Sequence, residues 1–186
     1  MPRQKEITLY SFSELPDDVK IKLIQGFEVD WTWDDPIIQT IEQEAEEMGI
    51  SNFDVYYSGF WSQGDGLSFI GTLSEELVEK IYKEKVNRDG FGPENPPFTV
   101  EFVRTIRNYC HSKVVEARVS GWLHEEDNRF FEEVFNDWKD AQCHEWYLLL
   151  REGFETLMSE PFVRDHYEDC GEIFLKDGRI IWLIKT

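Results

Sequence analysis

The chain holds no apolar run approaching the roughly 18 residues that span a bilayer, and its opening, MPRQKEITLY, lacks the apolar segment of a secretory signal. A cytoplasmic protein with no membrane contact is expected. Basic side chains are scarce: 19 Lys and Arg stand against 38 Asp and Glu, a formal charge of −19. Such a chain repels phosphate backbones and anionic membrane surfaces and gains nothing from counterion release. Direct binding of nucleic acid is therefore excluded as an expectation. Cysteine is limited to Cys110, Cys143 and Cys170, an odd number at wide spacing that argues against a disulfide framework. The chain also lacks G-x-S-x-G, a P-loop, G-x-G-x-x-G, C-x₂-C and H-E-x-x-H. No cofactor is implied, and an enzyme is the less favoured class.

What is present is ample apolar material. Hydrophobic residues make up 41% of the 186 residues and aromatics 15%, with seven Trp and fourteen Phe, far from the composition of a disordered chain. The length suits one domain spanning 1–186. Charge is uneven along it. Residues 1–60 carry 13 acidic and 4 basic side chains, residues 61–120 carry 9 and 8, and residues 121–186 carry 16 and 7. Acidic ends of this kind steer a basic protein partner or simply keep the chain soluble.

Periodicity predicts an α+β domain, an antiparallel sheet of about five strands packed by several helices. EITLYS (residues 6–11) alternates as a first strand, and Ser13 to Pro16 opens a helix striped with Val19, Leu23, Ile24 and Phe27. A second helix starts near Asp35-Pro36 and ends at Gly49. Residues 53–61 read as a strand and 67–72 as its antiparallel return, followed by a helix from Ser74 to about Val86. NRDGFGPENPPF reads as a loop. Residues 98–109 fit strand or helix, whereas 113–119 alternate as a strand. One long helix occupies about 125–158, with a bend expected near Gly153. A short helix follows Glu160-Pro161, and EIFLKDGRIIWLI closes the chain as a hairpin turning at Asp177-Gly178.

Two stretches are candidates for a site. YSGFWSQGDGLSF (residues 57–69) crowds aromatics and hydroxyls around glycines and one aspartate. A hairpin corner accounts for Gly64, Gly66 and an Asp65 that bonds its own backbone. It does not demand Trp61, Ser62 and Gln63, which with Asp65 form a candidate binding site. VDWTWDD (residues 29–35) places Trp31 and Trp33 among acids, a composition that suits a basic surface or a cation. The competing reading closes both indoles over the core. The pairs Cys110-His111 and Cys143-His144, and His166 with Cys170, lack ligand spacing, and buried thiols with surface imidazoles are the simpler expectation.

The string SGFWSQGDG resembles a family of small phage and prophage proteins, many labelled "antitoxin of toxin-antitoxin stability system". ITLYSFSELPDDVKIKLIQGF is similar to that family's opening strand, F-x-E-L and helix. Leu150, Phe154, Glu155, Leu157 and Ser159, with Asp177-Gly178-Arg179, resemble its ending. The likeness covers nearly the whole chain and is thinnest over residues 75–108. At Phe154 the family usually has Tyr. The resemblance implies a phage origin and an antitoxin-like role, without catalytic residues to carry over. Taken with the charge, it implies an acidic protein that binds and inhibits or modulates a host protein with a basic surface, for instance a defence nuclease or a toxin. The alternative is a small enzyme or ligand-binding domain built on residues 57–69, with Asp65 as acid or base and Ser62 and Gln63 orienting substrate.

Overall fold

A computed structural model describes residues 7–85, 98–106, 108–121 and 125–181, without the side chains of 125–127. The predicted Gly/Pro-rich loop falls almost wholly outside the described residues, as do the first residue of the predicted first strand and the far end of the closing hairpin. Contacts gather the chain into two compact units, one made of 1–33 with 153–186 and the other of 34–152.

The larger unit is built on a four-stranded antiparallel meander of β1 (Ile50–Ser58), β2 (Gly66–Leu73), β3 (Phe98–Arg104) and β4 (Val115–Gly121), in the order β1-β2-β3-β4. Of the ambiguous segment 98–109, residues 98–104 are thus a strand. Its alternating Phe98, Val100 and Phe102 are buried between exposed Thr99 and Glu101, the period a half-buried strand requires. β1 slips register between Ser51 and Asp54, where Asn52 takes a φ of 52°, and this bulge keeps the rest of the strand in phase.

A 33-residue helix, Glu125–Leu157, which we label α4, runs without interruption through Gly153. Its aromatics fill one face of the sheet. Trp138 stacks on Phe102 at 6.1 Å, and Trp146 meets Phe69 at 5.2 Å and Phe53 at 5.5 Å in edge-on contacts, the geometry that ring quadrupoles favour. The Trp146 indole also donates to Glu44 Oε2 at 2.9 Å. Glu44 lies on α2 (Asp35–Met48), which has Pro36 in its first turn and ends at Gly49 with φ of 91°. α3 (Glu75–Lys85) starts where Ser74 Oγ accepts from the Leu77 amide, and it buries Leu77, Val78, Ile81 and Tyr82.

Cys143, buried on α4, has its thiol pushed up to about 12, chiefly by loss of solvent. An unfolded thiol ionises near 8.5. The folded state therefore keeps its full advantage below that pH and loses it as pH rises through about 12. Urea midpoints should fall between pH 8.5 and 11, and the fall should be shallower in Cys143→Ala. An equal slope in the two proteins would show that the thiol contributes nothing.

Among the described residues of the smaller unit, the predicted first strand and closing hairpin show single bridges, Tyr10 with Phe174 and Phe174 with Ile180. Among the described residues the sheet therefore has four strands, against the about five expected. The cause is local: Ser11 and Glu14 form a capping box that turns Phe12–Glu14 into a 3₁₀ helix, drawing the chain out of extended geometry. α1 (Asp17–Gln25) and α5 (Glu160–Asp169) complete this unit. Its core is Phe12, Leu15, Val19, Val163, Tyr167 and Phe174. The Asp177-Gly178 turn forms as expected, with Gly178 at φ of 88° and its amide bonded to the Leu175 carbonyl.

Candidate functional site

β1 ends at Ser58, three residues before the predicted end at Trp61, and β2 resumes at Gly66. The connecting loop, residues 59–65, is held from inside by one carboxylate. Asp65 Oδ2 accepts from the amides of Trp61 at 2.9 Å and Ser62 at 2.6 Å, and the Asp65 amide bonds the Ser62 carbonyl at 3.1 Å. Gly64 sits at φ of 101°, where a side chain would be strained. A Cβ on Gly59 would lie 2.9 Å from Asp65 Oδ2, so the carboxylate occupies space that only glycine leaves.

The loop also leans on α4. Tyr147 and Arg151 are one turn apart on that helix. The Tyr147 hydroxyl donates to the Gly59 carbonyl at 3.3 Å, and the Phe60 ring meets the Tyr147 ring at 5.5 Å. The Arg151 guanidinium lies 5.4 Å from the centre of the Trp61 ring. Loss of solvent and, second, the nearby Asp65 raise the Tyr147 phenol above its usual range, against the opposing effect of Arg151. At the end of β1 the Tyr57 hydroxyl donates to Asp34 Oδ2, and burial followed by this bond raises that phenol well above its normal value. The last aromatic of this corner, Trp61, remains 66% exposed.

Trp61, Ser62, Gln63 and Asp65 thus share one loop, with the first three at the surface and Asp65 half-buried. The other nominated pair lies in the smaller unit and separates in role. Trp33 is half-buried against Phe154, with ring centres 5.3 Å apart. Phe154 is therefore a packing residue. Trp31 is 89% exposed, so it does not close over the core. Among the described residues no group of three or more His, Cys, Asp or Glu is placed to hold a metal ion.

Sequence reasoning missed the neighbour of this corner. The Arg104 guanidinium, at the end of β3, lies 4.3 Å from the centre of the Tyr56 ring and donates to the carbonyls of Ile106 at 3.1 Å and Tyr109 at 2.7 Å. Tyr56 in turn donates to Asp54. The only sequence signal was a β-strand ending in Arg before a run of polar and aromatic residues, too common to select.

No curated protein and no solved structure matches the chain. Residues 33–160, more than half of its length, match the family described as a domain of unknown function, DUF8835, and the chain belongs to that family.

Proposed function

We propose that this is a phage-derived, non-enzymatic protein that binds a host protein through a basic surface of that partner and inhibits or modulates it, a defence nuclease or a toxin being the kind of target. The observation that carries the reading is Trp61, held out on a loop whose conformation is fixed from within. Exposing an indole is costly, and rigid aromatic anchors dominate binding energy at protein interfaces. The formal charge of −19 supports the choice of partner. Carboxylates meet the Lys and Arg side chains that otherwise meet phosphate, so an acidic protein can occupy a nucleic-acid groove. In the larger unit α2 contributes Glu42, Glu46 and Glu47, all exposed.

Affinity capture from host lysate at low and at physiological salt tests this. A specific partner, retained more strongly at low salt, is expected. Recovery of none at either salt overturns the reading. With the purified partner, Trp61→Ala should weaken binding by roughly 10- to 100-fold, the range of an interface hot spot. Its thermal midpoint should be unchanged, because little buried area is lost. A variant that binds normally removes Trp61 from the interface.

A further inference from the structure

We propose that the docking surface is composite, and that a second, adjacent segment carrying Tyr109 contacts the same partner as Trp61. This rests on the reading that the chain binds a host protein. The two segments are packed against one another. A Cβ on Gly64 would lie 3.8 Å from the Tyr109 ring, and one on Gly66 would lie 2.9 Å from the Cα of His111. β2 and the segment at 109–111 therefore approach as closely as glycine permits. Tyr109 is 54% exposed, and its ring lies 6.0 Å from that of His111.

Each segment is fixed by a charge turned inward. Asp65 binds the amides of one, and Arg104 binds the Tyr109 carbonyl of the other. These bonds hold the backbone that carries each aromatic, which lowers the entropy cost of association. The guanidinium groups of Arg104 and Arg151 lie against the rings of Tyr56 and Trp61. The acids Asp34 and Asp54 are tied to Tyr57 and Tyr56 of β1. Residues 34–152 as a whole carry 25 acidic against 11 basic side chains. The partner that fits is a folded basic protein with an apolar cleft: the cleft receives the two aromatics, and the acidity of the unit as a whole attracts the partner's lysines and arginines.

The test places a photo-crosslinking amino acid at Trp61, at Tyr109 and, as a control on α4, at Phe130, which is 50% exposed, in the full chain within host cells. The expected result is one and the same protein captured from positions 61 and 109 and not from 130. With that protein purified, Tyr109→Ala should weaken binding at least 10-fold, and the affinity should fall as salt is raised. Capture from 61 but not 109, or a Tyr109→Ala change below twofold, overturns the composite surface while leaving the host-binding reading in place. Capture only from 130 moves the interface elsewhere and likewise overturns it. Capture from none of the three positions, together with empty affinity capture, overturns both.

Discussion

Lys139→Ala is expected to cost about 3–5 kcal/mol of the larger unit's stability, the range for removing one partner of a buried charged network. Lys139 is 2% exposed in the middle of α4. Its ammonium donates to the Ser112 carbonyl at 2.9 Å, the Val115 carbonyl and Asn136 Oδ1 at 3.2 Å, and it lies 3.2 Å from Asp140 Oδ1. All three of its N–H donors thus have partners. Asn136 Oδ1 also accepts from the Ala117 amide at 3.0 Å, so the network ties the helix to β4 and to the 3₁₀ turn at Ser112–Val114. Alanine strands these acceptors and opens a cavity. Lys139→Met fills the volume and restores no donor, so its loss should be smaller, about 2–3 kcal/mol. Urea unfolding of the two variants checks both values, and a loss below about 1 kcal/mol for alanine would show that water replaces the ammonium. Because the Ser112–Val114 turn follows directly on the segment carrying Tyr109, the methionine variant should also bind the partner less tightly at temperatures where it remains folded.

The fold was largely legible because its elements are announced locally. Pro36 near the start and Gly49 at the end bound α2, Ser74 opens α3, and the aromatic stripe of α4 needs only a period to be seen. The two terminal β segments were overestimated for a reason that periodicity cannot contain. Alternating residues prefer a strand only if a partner strand continues beside them, and Tyr10 and Phe174 find one another for a single bridge before the Ser11 and Glu14 cap turns the chain. In the string from Tyr57 to Phe69, the turn and its internal acceptor, Asp65, were readable from the residues. The nearness of Tyr109 was not readable, since it depends on two glycine contacts, to Tyr109 and His111, made across some 45 residues of sequence, and that of Arg104 depends on its meeting Tyr56 across the sheet. Lys139 was equally hidden: a lysine within a helix reads as surface, and only the position of β4 turns it inward.

Asp65 offers the sharpest separation between a docking loop and a catalytic one. Its Oδ2 is the common acceptor for the Trp61 and Ser62 amides, and hydrogen bonds to a charged group contribute about 1.5–3 kcal/mol each when shielded from water. The side chain is half-buried, so Asp65→Ala should cost about 2 kcal/mol in total rather than the sum. The same change releases Trp61 from its place beside Arg151, so partner affinity should drop roughly 10-fold although Asp65 need not touch the partner. Asp65→Asn keeps an oxygen that can accept both amides and gives up only the charge. It should retain most of the stability and most of the binding. Gly59→Ala, which places a methyl 2.9 Å from the same carboxylate oxygen, should reproduce the alanine defect without altering Asp65 itself. A catalytic Asp65 predicts the reverse order: asparagine would abolish activity at an unchanged thermal midpoint, because general acid or base work needs the ionisable proton and not the acceptor. Thermal midpoints and partner affinities of the three variants, measured side by side, therefore decide between the two readings: rescue by asparagine supports the docking loop, and failure of asparagine with intact folding overturns it.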